Sequence, residues 1–316
     1  MISIVIPLYN KEKYVLNTLQ SVFNQFFQSY EIIIVDDGST DRSLELVKTI
    51  QDERIRIITQ ENQGVSAARN HGIEEAKYDY IALLDADDEW RPDYLSNIVE
   101  LIKTYPQCSV FACAYDLRYP HSTRPIILKN MPFTEGDGIL HNYFEVASSS
   151  NPPIWTSAVA FKKEAILSIG GFPVGVTSGE DLIVWAKLAV NYQIAYSTKM
   201  SASFVLDYAH LVTSLPARLY DKSDYVANEL ISLFRQASGK QKKDIKAYIS
   251  MWYKMRASVY LRLQDKKHTW QYSLYSLKYN VLNWKVYFFM ILICLPNRWQ
   301  EIIKNKYEMN RDEFSL

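Results

Sequence analysis

EIIIVDDGSTD, residues 31–41, joins a short apolar run to a cluster of carboxylates and turn residues. Its first part is rich in isoleucine and valine, which is typical of a buried strand. The run at 2–6, ended by Pro7, is of the same kind, and the runs at 54–59 and 80–84 repeat it. Apolar residues at helical spacing separate these runs. The sequence therefore predicts an α/β domain with a mostly parallel sheet flanked by helices.

Polar and acidic residues follow three of the predicted strands. They are Tyr9-Asn10, Asp36-Asp37 and Asp85-Ala86-Asp87-Asp88. Since ligands of such sheets bind beyond the carboxyl ends of the strands, we expect one shared site there. Carboxylates this close together favour a divalent cation with oxygen ligands, such as Mg²⁺ or Mn²⁺. For the third group taken alone, a solvated acidic turn that caps the next helix is the stronger alternative.

Two acidic segments each admit two interpretations. Asp36, at a strand end, suits hydrogen bonds from a pyrimidine N–H or a ribose, but the segment also fits an Asx-type turn before a capped helix. Glu180 and Asp181 precede an apolar helical stripe. There they either complement the helix dipole or supply a general base for an attacking hydroxyl. The residues alone leave both choices open.

Composition narrows the class of function. Lys and Arg number 35, as do Asp and Glu, and the resulting net charge of +0 does not favour a nucleic-acid-binding protein. Cys108, Cys113 and Cys294 lack the paired spacing of a zinc site, which indicates reduced thiols. Residues 2–7 form too short an apolar run for a signal peptide, and no basic leader precedes them. We therefore expect a cytoplasmic protein.

The alternation of strands and helices stops near residue 211. Beyond it lie long helical patterns rich in Lys, Tyr and Trp, so we predict a sheet domain at 1–212 and a C-terminal α-helical region at 213–316. An apolar run at 286–295 is too short to span a bilayer, which needs about 20 residues. It fits a buried helix or, in the alternative, an interfacial helix that contacts a membrane through 284–306.

Six segments resemble glycosyltransferase family 2, the inverting family with the Rossmann-like GT-A fold, in the family's order. They lie at 3–10, 31–41, 62–70, 80–88, 170–172 and 180–185. Each is weak evidence alone, but six in order over roughly residues 1–210 are specific. The resemblance implies transfer of a sugar from a nucleotide diphosphate, with UDP favoured, to an acceptor hydroxyl. The implied acceptor is a saccharide or lipid-linked saccharide of surface polysaccharide synthesis at the inner face of the membrane.

The resemblance implies donor-binding roles for seven positions near the strand ends. They are Pro7, Tyr9, Asn10, Asp36, Arg69, Asp85 and Ala86. In the family, the aromatic at Tyr9 stacks on the base and the carboxylate at Asp36 reads it, while Asp85 faces the ribose. Asp181 matches the base that deprotonates the acceptor, with Glu180 as the alternative.

The implied cofactor is Mn²⁺ or Mg²⁺, because a divalent cation stabilises the departing nucleoside diphosphate. Asp85 and Asp87 match the Asp-X-Asp motif, and Asp87 is the residue implied to hold the metal. Asp88 and His210 are further metal candidates. The arginine that precedes this histidine in the family is Ala209 here, which weakens the assignment of His210.

Two other functions compete with this interpretation. A sugar nucleotidyltransferase is also α/β and metal-dependent, but it would begin with a Gly-rich phosphate loop, and residues 7–10 contain no glycine. A non-catalytic nucleotide-sugar-binding module is the second alternative. The presence of Asp85, Asp87 and Asp181 together favours the enzyme.

Overall fold

The computed structural model describes residues 1–206, 224–296, 298 and 299. These residues form two compact units. The first contains Met1–Ile126, Met131–His141 and 153–206, and the second contains Ile127–Asn130, Asn142–Pro152 and the described residues from 224 onward. The boundary predicted at 212/213 lies outside the described residues. Two short segments from the first half of the chain belong to the second unit.

One large sheet organises the first unit. Its strands are β1 (Ile2–Leu8), β2 (Tyr30–Asp36), β3 (Ile55–Thr59), β4 (Tyr80–Leu83), β5 (Glu89–Trp90), β6 (Val110–Tyr119), β7 (Ser122–Pro125), β8 (Asp137–Ile139), β9 (Val159–Lys162) and β10 (Ile194–Val205). Their order is β3-β2-β1-β4-β9-β6-β10-β5, with β7 beside β6 and β8 beside β10. Strands β3, β2, β1 and β4 are parallel, whereas β9 is antiparallel to both neighbours. The predicted α/β sheet is confirmed.

Helices accompany the strands of this unit. They are α1 (Val15–Phe23), α2 (Ser43–Lys48), α3 (Val65–Glu75), α4 (Tyr94–Thr104), α6 (Lys163–Ser168) and α7 (Glu180–Asn191), with a 3-10 turn at Thr156–Ala158. Helix α1 buries Val15, Leu19 and Val22 at helical spacing. In α3, a Cβ added at Gly72 would lie 2.4 Å from Val5 Cγ1, so this glycine lets the helix approach β1 closely.

The first strand is longer than predicted. Pro7 was expected to end it, but β1 continues to Leu8, and Pro7 pairs in register with Val35. The partner on the other side, β4, pairs only as far as Val5. Because Pro7 lies beyond that pairing, β1 has a free side there, and a missing N–H is tolerated as at a sheet edge.

The second unit is helical, as predicted for the C-terminal region. Its helices are α5 (Tyr143–Ser149), α8 (Tyr225–Gln236), α9 (Gly239–Arg262), α10 (Lys266–Tyr279) and α11 (Trp284–Leu292). Helices α9 and α10 are joined by polar contacts, with Ser250 Oγ 2.9 Å from Ser276 Oγ and Asn283 Nδ2 donating to both. Across the described ranges, we find no helix both long and apolar enough to traverse a bilayer.

Candidate active site

The carboxyl ends of β1, β2 and β4 meet at one edge of the sheet. The strands are adjacent and parallel, and Leu8 at the end of β1 lies in register with Asp36 at the end of β2. Tyr9 follows β1 and is 46% exposed, while Asp85 follows β4 by two residues. The topology therefore gathers the three polar groups that the sequence placed at strand ends.

Asp36 presents a buried acceptor without a partner. The residue is 3% exposed, and its Oδ1 makes no hydrogen bond within the described residues. Leaving such an oxygen unsatisfied costs roughly 1–3 kcal/mol. An unsatisfied acceptor at the ligand-binding edge of an α/β sheet is explained if a ligand N–H or O–H donates to it.

The next residue, Asp37, has the opposite character. Its Oδ1 accepts from Gln60 Nε2 (2.7 Å) and from the Gln63 amide (3.0 Å), and its Oδ2 accepts from the Gly64 amide (2.8 Å). Gly64 precedes α3 with a φ of 89°, a conformation that favours glycine. Asp37 thus fixes the start of α3. The sequence pairs the two aspartates but does not indicate which one keeps a free oxygen.

Asn10 links two loops of this edge. Its backbone has a φ of 52°, and its Oδ1 accepts from the amides of Thr40 (2.8 Å) and Asp41 (3.3 Å). Its own amide donates to Ser39 Oγ at 3.2 Å. The side chain therefore ties the end of β1 to the loop after β2, and its predicted contact with a donor stays a prediction.

Arg69, on α3, is the central cation of the site. It is 4% exposed, and its Nη2 donates to both oxygens of Asp85 at 2.8 and 3.1 Å. Its Nη1 lies 3.5 Å from Glu180 Oε1, and its guanidinium carbon lies 5.1 Å from the centre of the Phe172 ring. Burial lowers the pKa of Arg69, but Asp85 and then Glu180 and Asp181 raise it, and the net shift is upward. The guanidinium is therefore charged and holds acidic groups from separate elements together.

Glu180 and Asp181 begin α7, directly after Gly179 with its φ of 80°. Burial raises the pKa of Asp181, and Arg69 opposes the rise. Burial and Asp181 raise the pKa of Glu180. The first turn of a helix stabilises acidic residues, and a carboxylate with a raised pKa is also a better proton acceptor at neutral pH. Both sequence interpretations of this pair are thus compatible with its position.

The three aspartates of the turn after β4 have different contacts. Asp85 is bound to Arg69, and Asp87, whose side chain is 20% exposed, forms an ion pair between its Oδ2 and Lys11 Nζ. Ala86 is buried, and its carbonyl accepts from Thr18 Oγ1 at 3.0 Å. The side chains of Asp85 and Asp87 are thus both partly exposed, at 23% and 20%, and each already pairs with a cation.

Asp88 is engaged entirely within the protein. It is 1% exposed, and its Oδ2 accepts from Ser157 Oγ (2.6 Å) and Trp155 Nε1 (3.0 Å), while its Oδ1 accepts from the Val205 amide (3.0 Å). Burial, and then the charges of Asp85 and Asp87, raise the pKa of Asp88 to about 8. These contacts anchor the turn and do not favour Asp88 as a metal ligand. His210, another metal candidate, lies outside the described residues.

A metal site built by the protein alone is absent from the described part of the chain, where no three or more His, Cys, Asp or Glu side chains are grouped to hold an ion. Mg²⁺ sites that also use substrate phosphates take one or two carboxylates from the protein. Asp87 fits that kind of site, because its carboxylate is partly exposed and lies beside the acidic residues at this edge of the sheet.

Sequence reasoning did not single out the contact that fixes the 170–172 loop. Asn70 Nδ2 donates to the Phe172 carbonyl, and the Phe172 amide donates to Asn70 Oδ1, both at 2.8 Å. Gly171 has a φ of 68°, and a Cβ there would lie 2.6 Å from Asn70 Oδ1. This pair places Phe172 against Arg69. Asn70, on α3, and the 170–172 loop both lie in segments that carry the family resemblance, which is the signal that could have linked them.

Solved structures with the same architecture identify the class of fold. S. aureus TarS 1–349, in complex with UDP-GlcNAc, matches with a TM-score of 0.68 and 16% identity, covering 87% of this chain and 81% of that one. The mannosyltransferase PcManGT from Pyrobaculum calidifontis, in complex with GDP-Man and Mn²⁺, matches with a TM-score of 0.52 and 19% identity, covering 98% and 80%. The fold is that of the GT-A glycosyltransferases.

The sequence of the sheet domain resembles a known family. Residues 3–153, just under half of the chain, match the family model described as glycosyl transferase family 2. An uncharacterized glycosyltransferase of Haemophilus influenzae is 47% identical over 91 residues, which is 28% of this chain and 36% of that protein. The putative teichuronic acid biosynthesis glycosyltransferase TuaG of Bacillus subtilis is 38% identical over 105 residues, 32% of this chain and 42% of TuaG. These alignments span less than half of either relative.

Proposed function

We propose that this protein is an inverting, metal-dependent glycosyltransferase that moves a sugar from a UDP-sugar to an acceptor hydroxyl. The observation that carries the proposal is the convergence on Arg69 of Asp85, from the turn after β4, and Glu180, from the start of α7. This cluster joins the motif that follows β4 to the candidate base on α7. An acidic turn with only a capping role would not require that connection.

The nucleotide is proposed to bind at the ends of β1 and β2. Among the described residues Asp36 Oδ1 has no partner, so it can accept a hydrogen bond from the base, and the exposed ring of Tyr9 offers a face for stacking. Pro7 and Ala86 are the remaining donor positions that the resemblance implies. UDP is the nucleotide that the family resemblance favours, and the TarS structure, which shares the fold, holds UDP-GlcNAc.

Asp87 is proposed to hold Mn²⁺ or Mg²⁺ together with the diphosphate. When bound, the cation supplies positive charge that stabilises the departing nucleoside diphosphate. The relative PcManGT was solved with Mn²⁺, which supports this choice of ion. The ammonium group of Lys11 now neutralises Asp87, so it must move from the carboxylate before an ion can bind. Asp85 is bound to Arg69 and is proposed to face the ribose.

Asp181 is proposed to accept the proton of the acceptor hydroxyl, with Glu180 as the alternative. The acceptor oxygen then forms a bond to the anomeric carbon as the bond from that carbon to the phosphate oxygen breaks, and the electron pair leaves with the diphosphate. Attack opposite the leaving group inverts the anomeric centre in one step. Arg69 lies within electrostatic reach of both carboxylates and favours the unprotonated base.

The acceptor is proposed to be a saccharide or lipid-linked saccharide in surface polysaccharide synthesis. The relative TuaG is named as a putative teichuronic acid biosynthesis glycosyltransferase, which supports a polysaccharide acceptor. A cytoplasmic enzyme would meet such an acceptor at the inner face of the membrane, and we propose contact there through residues 284–306.

Thermal unfolding with a panel of nucleotide sugars and Mn²⁺ tests the proposal. A donor that binds the native state raises the melting temperature, so we expect UDP-sugars to do so and Asp36→Ala to reduce the shift. Incubation with the bound donor and candidate acceptors then separates an enzyme from a binding module, which would bind without turnover. Absence of a shift with every nucleotide sugar would contradict the proposed donor site.

A further inference from the structure

Helix α11 carries an exposed apolar stripe. Trp284 is 64% exposed, Tyr287 45% and Ile291 64%. Their spacing of three and four residues places them on one face of the helix. Val286 and Leu292, on another face, are buried. The helix is thus apolar on the side that packs into its unit and also on the side that does not.

The turn before α11 extends this surface. Val281 is 65% exposed and Leu282 83%, and Tyr287 Oη donates to the Val281 carbonyl at 3.0 Å. That hydrogen bond holds the turn against the exposed face of the helix. We call Val281, Leu282, Trp284, Tyr287 and Ile291 the apolar stripe. Adjacent exposed apolar residues of this size mark an interaction surface rather than ordinary protein surface.

The segment of sequence that carries the apolar stripe is basic. Between residues 266 and 299 there is no Asp or Glu, although the whole chain carries equal numbers of acidic and basic residues. The cations of this segment are Lys266, Lys267, Lys278, Lys285 and Arg298. Such a segment favours an anionic partner.

Two lysines near the start of α11 repel each other. Asn283 donates to Ser250, and Lys254 is one turn further along α9, so it approaches Lys285 at the start of α11. Burial, and then Lys285, lower the pKa of Lys254 to about 8, and burial and Lys129 lower the pKa of Lys285. Within the described ranges neither Lys254 nor Lys285 pairs with a carboxylate. An anion placed there would relieve this repulsion.

We propose that the apolar stripe and its flanking lysines dock on the surface of an anionic lipid bilayer. Trp and Tyr favour the level of the lipid headgroups, where Trp284 and Tyr287 would lie, and Leu282 and Ile291 would enter the acyl boundary. Basic residues beside the stripe bind the negative headgroups. This inference rests on the membrane contact proposed above and names the residues and the lipid charge that make it. It does not depend on the transfer reaction.

Flotation of the purified full chain with vesicles tests the proposal. We expect binding to vesicles of phosphatidylcholine with phosphatidylglycerol, and at least about tenfold weaker binding to phosphatidylcholine alone. Leu282→Ser and Ile291→Ser should each weaken binding about tenfold. Lys285→Gln should weaken it about fivefold, and high salt should weaken binding of the wild type.

Phe26→Ser is the matched control, because Phe26 belongs to the first unit and is 73% exposed. It should bind vesicles like the wild type. Equal binding of the control and of both stripe variants would overturn the proposal. The proposal would also be overturned if the wild type did not bind vesicles but formed a dimer in light scattering, and if Ile291→Ser dissociated that dimer. The apolar stripe would then bind a second copy of the chain. The vesicles contain neither donor nor acceptor, so this result is separate from any failure of the proposed transfer.

Discussion

The carboxyl edge of the sheet and the segment 266–299 accumulate charges of opposite sign. At the sheet edge, carboxylates from the turn after β4 and from α7 pair with two cations, Arg69 and Lys11. In the helical segment, five cations have no carboxylate among them. The net charge of +0 is the sum over these and all other regions, so it reveals neither the acidic sheet edge nor the basic helical segment. One region suits a cation and a nucleotide, and the other suits an anionic surface.

The two regions also differ in how their polar groups are satisfied. At the sheet edge, Asp37 and Asp88 are held by protein donors, whereas Asp36 keeps a buried oxygen to which no described residue donates. In the second unit, burial and then the charge of Lys285 lower the pKa of Lys254. In both regions the groups that the protein leaves unsatisfied are the ones that point to a ligand.

The largest effect is expected at Asp181. Asp181→Asn should reduce sugar transfer by at least about 10²-fold, the usual contribution of a general base, and should leave donor binding intact. Because the base must be unprotonated and its pKa is raised, the wild-type rate should fall on the acid side above the usual pKa of an aspartate. Single-turnover rates against pH measure both. If Glu180→Gln is the variant that loses activity while Asp181→Asn does not, the roles are reversed.

Asp36 tests the nucleotide end of the acidic region. A hydrogen bond to a charged acceptor contributes about 1.5–3 kcal/mol, so Asp36→Ala should weaken UDP binding about 10- to 100-fold. Calorimetric titration with UDP measures this. Glu45→Gln, an exposed change on α2, is the control and should bind normally. Unchanged affinity in Asp36→Ala would mean that the unsatisfied oxygen is not the acceptor for the nucleotide.

Lys11 tests whether the cation at Asp87 competes with a metal. A partly exposed ion pair contributes up to about 1 kcal/mol, so Lys11→Met should lower the half-saturating Mn²⁺ concentration about two- to fivefold. The measurement is free Mn²⁺ by electron paramagnetic resonance in the presence of UDP. Lys13→Met, an exposed neighbour, should leave the value unchanged. A higher Mn²⁺ requirement in Lys11→Met would instead show that the lysine assists binding.

The smallest effect is a change of stability in the basic region. The pKa of Lys254 is about 8 in the folded state and higher in the unfolded state. As the pH rises, the folded state therefore releases this proton first, and the free energy of unfolding increases from about pH 8 to pH 10. Lys254→Met should raise the free energy of unfolding at pH 7 by about 1–2 kcal/mol and remove that rise. Urea denaturation at several pH values measures this. A lower free energy of unfolding in Lys254→Met would contradict this expectation. Lys246→Met, on the exposed side of α9, is the control.

Strand periodicity and strand-end chemistry made the sheet domain predictable. The apolar runs became β1, β2, β3 and β4, and the family resemblance was confirmed by the match over residues 3–153. Pro7 was misjudged because a proline's effect on a strand depends on whether a neighbour lies opposite its nitrogen, which only the pairing of β4 reveals. The membership of 127–130 and 142–152 in the second unit is likewise a tertiary fact without a local signal.

The sequence predicted which residue types form the site, but it predicted the contacts of each residue less well. Asp85, Asp87 and Asp88 look equivalent in sequence, but one contacts Arg69, one contacts Lys11 and one is enclosed by Trp155 and Ser157. These differences depend on side chains far apart in the chain. The contacts of Asn10, Asp37 and Asn70 were invisible for the same reason, since their partners lie 23 to 102 residues away.

Turnover of the donor with Mn²⁺ in the wild type and in Asp87→Ala tests the central claim most directly. We expect the wild type to release UDP from a UDP-sugar. The variant should lose this activity, while its melting temperature without ligand stays close to that of the wild type. Undiminished release of UDP by Asp87→Ala would contradict the assignment of the metal, and with it the proposed chemistry of the sheet edge.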